Sequence, residues 1–339
     1  MPPPHDRDRP GAPEPERERH GAPEPDPGAE PSGYVVLVEP ADRIHFLDWG
    51  GPAEPDGPGV LLVHGLAQTS WIWAPAARRL RRRRPTVALD LRGHGLSDSP
   101  TSGYDARTLA DDAIAVADGS GLLAAGPIVL AGHGFGAAVA AWTARALGPR
   151  CAGLVLVDGG WEDLRATTGQ EPDEFLRGLA EPPEMLRSMT AYLRDREAFD
   201  PPTWDADQDR AARATVVDTP AGRVVPATRP HALAGAVEAL FTYRPDVVLA
   251  DVEAPIAALA AAEDEAGTRG PALKAVQRAL HEAGRPAIRV DRFPSDGHNL
   301  IRYRPAEVTA AILAVAGTRA GLSPDGLATA SGEADVDPA

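Results

Sequence analysis

Residues 128–147 read IVLAGHGFGAAVAAWTARAL. The first four residues form an aliphatic run of the length and composition typical of a buried strand, and the alanine-rich stretch from residue 137 favours a helix. Between them stand only Gly132-His133-Gly134-Phe135-Gly136. The stretch therefore predicts a sharp turn that leads from a strand directly into a helix.

The same alternation of short aliphatic runs and longer helical stretches extends along most of the chain. It is typical of a largely parallel sheet with helices on both faces. Strands are predicted at residues 34–38, 44–49, 60–63, 86–91, 128–131, 154–157, 256–261 and 287–290. Helices are predicted at residues 74–83, 106–117, 137–146, 272–283 and 306–315. The sequence thus predicts an α/β fold with a mostly parallel, eight-stranded sheet.

Residues 161–250 interrupt this alternation with prolines, aromatic residues and helical pieces. The segment is too long for a simple crossover between two strands, so we expect an inserted helical lid over one end of the sheet. The core then comprises residues 33–160 and 251–318. Residues 1–32 and 319–339 contain too few apolar residues to offset their ordering entropy, and we expect both to be disordered tails.

Composition limits the kind of partner. The 339 residues are 43% hydrophobic and 24% charged, and the net charge is −15, which disfavours binding to nucleic acid or to an anionic membrane. The only cysteine is Cys151, so no disulfide can form within the chain. Neither an apolar run of spanning length nor an N-terminal signal sequence is evident. We expect a cytoplasmic protein whose partner is a small molecule, and the oligomeric state stays open.

Four short motifs each follow a predicted strand. They are His64-Gly65-Leu66-Ala67, Asp90-Leu91-Arg92-Gly93-His94-Gly95-Leu96-Ser97-Asp98, the glycine-rich turn 132–136, and Asp296-Gly297-His298-Asn299-Leu300. In this order they resemble the α/β-hydrolase superfamily, particularly its lid-bearing esterases, epoxide hydrolases and haloperoxidase-like enzymes. The resemblance covers residues 34–316 and implies an α/β-hydrolase fold, with the turn 132–136 as its nucleophile elbow.

The turn departs from the family pattern at its central residue. In the family, a turn of the form G-x-nucleophile-x-G presents a Ser, Asp or Cys above the sheet, and an acid and a histidine follow later in the chain. The corresponding residue here is Gly134, which has no atom that can attack a substrate. The sequence therefore excludes a route through a covalent acyl-enzyme but leaves open chemistry driven by water or by a base.

The resemblance also assigns the other members of the site. His298 corresponds to the family histidine, and the acid falls at Asp264, with Glu263 or Glu265 as neighbours that could replace it. Asp158 is an alternative acid after an earlier strand, but we interpret it as a cap for the following turn. We expect the carboxylate of Asp264 to accept a hydrogen bond from one ring nitrogen of His298, leaving the other nitrogen for the substrate.

The backbone amides of Phe135 and Leu66 would form the oxyanion hole that the resemblance implies. These parts suit a small-molecule enzyme in which the histidine and acid act as a general base, for hydrolysis without an acyl-enzyme or for a cofactor-free lyase, cyclase or oxygenase reaction. The alternative is a catalytically silent binding protein, a pseudoenzyme that retains only the pocket. We found no dinucleotide-binding loop and no metal-binding motif, and expect no cofactor and no metal.

Overall fold

The computed structural model describes residues 29–179, 187–263 and 267–316. Ten strands lie within these residues: β1 Ser32–Val38, β2 Asp42–Gly50, β3 Val60–Val63, β4 Thr86–Leu89, β5 Ile128–His133, β6 Cys151–Val157, β7 Val216–Asp218, β8 Val224–Pro226, β9 Ile256–Ala260 and β10 Arg289–Arg292. All but β7 and β8 form one sheet, in the order β1-β2-β4-β3-β5-β6-β9-β10. The predicted eight strands are confirmed, and β10 begins two residues later than its prediction.

Strand direction in this sheet is mostly parallel. The strands β1 and β2 pair antiparallel, as do β2 and β4, and every other neighbouring pair is parallel. The carboxyl ends of the parallel strands therefore meet at one edge, where open α/β sheets bind ligands. The fold is the α/β-hydrolase fold that the sequence predicts.

Helices follow or precede most strands. Those in the described residues are α1 Ala74–Leu80, α2 Ala106–Gly119, α3 Phe135–Leu147, α4 Leu164–Thr168, α5 Pro172–Leu179, α6 Met189–Phe199, α7 Ala206–Ala214, α8 Pro230–Phe241, α9 Pro245–Ala250, α10 Arg269–Glu282, α11 Leu300–Tyr303 and α12 Pro305–Val315. Helix α2 begins at the side chain of Asp105, which accepts hydrogen bonds from two backbone amides of its first turn.

The strand β3 shows how the sheet separates two apolar cores. Successive side chains of a strand point to opposite faces of the sheet. Leu61 and Val63 pack in a cluster with α2, α3, α9 and α10, whereas Val60 and Leu62 pack in a second cluster with α1, α11 and α12. Because both faces are covered, β3 is a continuous apolar run without polar alternation.

The stretch between β6 and β9 holds α4 to α9 and the antiparallel hairpin of β7 and β8. We call residues 161–250 the insertion, as bounded by the sequence prediction. Its side chains Phe175, Leu179, Leu233 and Leu240 line the cavity described below. The insertion therefore contributes an apolar wall at the end of the sheet where the parallel strands terminate.

The chain ends differ partly from the sequence prediction. Residues 29–32 were predicted as part of a disordered tail, yet Glu30 lies 3.0 Å from Arg78 and the Ala29 carbonyl oxygen accepts a hydrogen bond from Arg81. The remaining residues of both predicted tails lie outside the described residues. Among the helices of the described ranges, none is both long and apolar enough to cross a membrane.

Candidate active site

The turn between β5 and α3 is held by close backbone contacts. Gly134 precedes the first residue of α3 with φ 53° and ψ −117°, a conformation that side-chain-bearing residues rarely adopt. A Cβ on Gly132 would lie 2.1 Å from the Gly136 carbonyl oxygen, and one on Gly136 would lie 2.3 Å from that of His64. Glycines at 132 and 136 are therefore required for α3 to start this close to the end of β3.

Gly134 itself has space above it. A Cβ at this position would meet only the ring of His298, 3.2 Å from Nε2 and 3.4 Å from Cε1. The histidine lies in the loop that follows β10, and its side chain is 64% exposed. His298, which the resemblance gave as the family histidine, thus lies with its ring next to Gly134.

The acid that contacts His298 is Asp158. Its Oδ2 lies 2.6 Å from His298 Nδ1, and its side chain is fully buried. The other oxygen accepts hydrogen bonds from the Ala261 amide at 2.8 Å and from Arg269 Nη2 at 2.7 Å. Burial disfavours the charge, but the hydrogen bond from His298 and the charge of Arg269 outweigh it and lower the pKa of Asp158. An ionised carboxylate can only accept a hydrogen bond, so Nδ1 of His298 is the donor to it, and in the neutral form of the ring the lone pair is on Nε2.

This pairing corrects the sequence interpretation of the acid. Asp158, which we interpreted as a turn cap, occupies the place at His298 Nδ1 that the sequence assigned to Asp264. Asp264 and Glu265 lie outside the described residues. Glu263 accepts hydrogen bonds from the backbone amides of Arg269 and Gly270 at 2.7 and 2.9 Å, at the first turn of α10.

A cavity of about 590 Å³ surrounds these groups. Gly134, Asp158 and His298 form its polar floor, together with Gln68, two threonines at the end of α4 and Thr268 just before α10. Both residues expected to supply the oxyanion hole, Leu66 and Phe135, line the same cavity. Phe135 is the first residue of α3, so its amide has no acceptor within the helix. The apolar wall consists of Leu66, Ala67, Phe135, Leu164, Phe175, Leu179, Leu233 and Leu240.

Sequence reasoning missed two charged residues of the cavity, Arg269 and Glu162. Arg269 donates from Nε to Glu162 Oε1 at 2.7 Å and from Nη1 to the Ala262 carbonyl at 3.1 Å, in addition to its bond to Asp158. Its guanidinium lies 5.2 Å from the ring centroid of Trp161. The available signal was the spacing of Asp158 and Glu162, which puts two acids just after a buried strand.

Three further histidines near the site, His64, His94 and His133, are buried away from solvent. His133 Nε2 lies 3.0 Å from the His298 carbonyl oxygen, and the two rings are 4.6 Å apart. Burial lowers the pKa of His133 and of His94 to about 3, and it also lowers the pKa of His64. These rings are therefore neutral at pH 7 and hold loops in place. Within residues 29–179, 187–263 and 267–316, no group of three His, Cys, Asp or Glu side chains is placed to hold a metal ion.

Comparison with known proteins agrees with this architecture. The model of the alpha/beta hydrolase family matches residues 60–312. The chain belongs to the alpha/beta hydrolase family. Among solved structures, this family member resembles E-2-(acetamidomethylene)succinate hydrolase with a TM-score of 0.64 and 22% sequence identity, covering 84% of this chain and 98% of that one. At that identity the similarity shows the fold alone.

Curated relatives of this alpha/beta hydrolase match it over shorter segments. A 2-(acetamidomethylene)succinate hydrolase of Mesorhizobium japonicum is 44% identical over 81 residues, 24% of this chain and 28% of the relative. Lipase LipV of Mycobacterium tuberculosis is 33% identical over 162 residues, 46% and 58% of the two lengths. An N-formylmaleamate deformylase of Pseudomonas putida is 37% identical over 117 residues, 34% and 41%. The chain thus spans less than two thirds of each of these relatives, all of which are named for hydrolytic reactions.

Proposed function

We propose that this alpha/beta hydrolase is an enzyme that hydrolyses a small, uncharged organic substrate by activating water, without a covalent intermediate. One observation carries the proposal. His298 Nε2, the ring nitrogen that Asp158 leaves free, lies 3.2 Å from the position that a Cβ on Gly134 would take. That position can hold an oxygen atom of a water molecule within hydrogen-bonding distance of the base.

The reaction follows from the placement of these groups. His298 Nε2 accepts a proton from the water as its oxygen bonds to the carbonyl carbon of the substrate. Asp158 remains ionised and stabilises the imidazolium that forms. The backbone amides of Phe135 and Leu66 donate hydrogen bonds to the developing oxyanion. The bond to the leaving group then breaks, and His298 returns its proton to that group, so the base is restored.

A site without a nucleophile is expected to be slow. In serine proteases, removing the nucleophile lowers kcat by about 10⁶-fold, while the oxyanion hole and substrate binding still give about 10³- to 10⁴-fold over water. We therefore expect weak but genuine turnover of activated substrates. A better substrate would be one that the cavity orients closely against the water.

The charges of the cavity favour an uncharged substrate. Among its described lining residues, Arg269 is the single arginine and no lysine is present. Arg269 is already bonded to Asp158, Glu162 and the Ala262 carbonyl, so a substrate carboxylate would meet no unpaired cation. Most of the remaining wall is aliphatic or aromatic, which suits an apolar acyl or alcohol group.

The first test is turnover of short neutral aryl esters by the protein and by His298→Ala. We expect steady release of product without an initial burst, and a loss of at least about 100-fold in kcat/KM in the variant because general base catalysis contributes that much. Asp158→Asn should also lose activity, because the amide can donate to Nδ1 and so favour the wrong tautomer.

His281→Ala is the matched control, since His281 lies on the exposed side of α10. It should retain full activity and the same melting temperature. Equal turnover by the protein and by His298→Ala would contradict the proposed base. Tight binding of an apolar ligand with no product from any ester would instead favour the catalytically silent binding protein.

A further inference from the structure

Three charged side chains stand in line behind the base. Asp158 contacts His298 through Oδ2 and Arg269 through Oδ1, and Arg269 contacts Glu162 through Nε, each at 2.6 or 2.7 Å. The side chains of Asp158, Arg269 and Glu162 are 0%, 17% and 12% exposed. We call these three residues the charge cluster. His298 stands at the end of this line, and all four residues line the cavity.

The charge cluster has two acidic side chains and only one basic side chain. With both carboxylates ionised and Arg269 protonated, the cluster carries one net negative charge in a buried place, which is costly. One added proton neutralises it. That proton can reside on His298 or on Glu162, so the two groups compete for it.

Arg269 links the two groups that compete for this proton. An arginine on the second oxygen of Asp158 weakens the attraction of that carboxylate for a proton on His298. Glu162 offsets the arginine, because it binds the same guanidinium through Nε. The three residues thus connect the protonation of Glu162 with the basicity of His298.

We propose that Glu162 acts through Arg269 and Asp158 as the positioning residue that sets the proton affinity of His298. This deepens the proposed function, on which it rests for the role of His298 as a base. Burial raises the pKa of Glu162 although Arg269 opposes the rise. The two carboxylates raise the pKa of Arg269 although burial disfavours its charge, so the arginine stays charged throughout.

Other ionisable groups near the cluster do not supply the missing charge. His133 packs on His298 but is neutral, since burial lowers its pKa to about 3. Tyr243 donates to the Gly160 carbonyl near Glu162, and burial raises the pKa of its phenol, so it stays protonated. In the loop of His298 itself, Asp296 is paired with Arg304 at 2.8 Å.

The titration of His298 can be measured directly by NMR on full-length protein labelled at histidine, with the His298 signal assigned by its absence in His298→Asn. Glu162→Gln keeps the shape and the acceptor for Arg269 but removes the charge. We expect it to lower the titration midpoint of His298 by about 0.5 to 1 pH unit, the lower end of the effect of a nearby charge. Glu162→Asp, which keeps the charge, should leave the midpoint within about 0.2 unit of the parent, well under the effect of a lost charge.

Glu263→Gln is the matched control. It removes the same charge at the start of α10, but Glu263 binds the backbone amides of Arg269 and Gly270 instead of the guanidinium. The midpoint should not change in this variant. The proposal is overturned if Glu162→Gln leaves the midpoint unchanged, or if the Gln, Asp and Glu263 variants all shift it equally. Since no turnover is needed, this outcome is independent of whether the ester test of the proposed function succeeds.

Discussion

Gly134 is the residue on which the proposed chemistry depends. Its φ of 53° with ψ of −117° lies outside the regions that residues with a side chain usually occupy. Holding such a residue there costs on the order of 1 to 3 kcal/mol, and glycine avoids that cost. The same backbone would, however, direct a serine hydroxyl toward His298, since a Cβ would lie 3.2 Å from Nε2.

Gly134→Ser should therefore lower the stability of the protein and introduce a covalent catalytic route. We expect the free energy of unfolding to fall by about 1 to 3 kcal/mol, the usual cost of a strained backbone. With an activated aryl ester, the variant should release an initial burst of product close to one equivalent and form an acyl-enzyme detectable by mass spectrometry.

Gly134→Ala separates the two effects. It introduces the same Cβ and the same strain but no oxygen, so it should lose similar stability and show no burst. A serine variant that acylates no faster than the alanine variant would mean that His298, the oxyanion donors or the acid are not arranged as we propose.

The acid shows where sequence reasoning reached its limit. The position of His298 after the last strand was predictable because the motif follows a recognisable strand. The choice between Asp158 and Asp264 was not, because both follow predicted strands and a loop path decides which one reaches the ring. The structure resolves it through the contact of Asp158 Oδ2 with His298 Nδ1. Arg269, from the start of a helix far along the chain, had no local signal at all.

The strands were the most predictable elements of the fold. Buried parallel strands are aliphatic runs between polar loops, so β3 and β9 could be located within one residue of their bounds. Two short strands of the insertion, β7 and β8, were missed because a three-residue hairpin has no detectable alternation. The edge of the sheet that holds the candidate site could be predicted, because the carboxyl ends of parallel strands meet there. The shape of the cavity could not, because it depends on helices of the insertion whose packing no sequence pattern specifies.

The junction of β5 and α3 depends on contact between backbones. Gly136→Ala would place a Cβ 2.3 Å from the His64 carbonyl oxygen and 2.4 Å from that of Val63, and neither backbone group can rotate away. We expect the free energy of unfolding to fall by about 3 kcal/mol or more, the upper range for overpacking. Chemical denaturation followed by circular dichroism would measure it.

Gly178→Ala is the corresponding control in a helix. Gly178 lies in α5, and a Cβ there would meet no atom within 4 Å. Because alanine is the better helix former, this variant should be neutral or gain up to about 1 kcal/mol. A loss at Gly136 no larger than about 0.5 kcal/mol, the size of an ordinary surface substitution, would show that α3 can move away from β3 without cost.

Several histidines of the folded protein are buried and neutral. Burial lowers the pKa of His94 and of His133 to about 3, and it lowers the pKa of His64 as well. In the unfolded chain a histidine binds a proton at about pH 6.5. Between that value and about pH 3, the unfolded state therefore binds protons that the folded state does not, and folding stability falls as the pH is lowered.

The melting temperature should accordingly fall between pH 7.5 and pH 5.5. At pH 5.5, one unit below the unfolded value, His94 and His133 should each reduce the free energy of unfolding by about 1.4 kcal/mol. The raised pKa values of Glu162 and Asp112, both caused by burial, act in the opposite direction, but they are two groups against three. The lowered pKa values of Asp90 and Asp158 matter only below about pH 4, where unfolded carboxylates take up protons. His94→Leu should flatten the pH dependence by removing one of the three groups. A melting temperature that stays constant or rises toward pH 5.5 would mean that these rings take up protons in the folded protein, and hence that the loops around the site open to water.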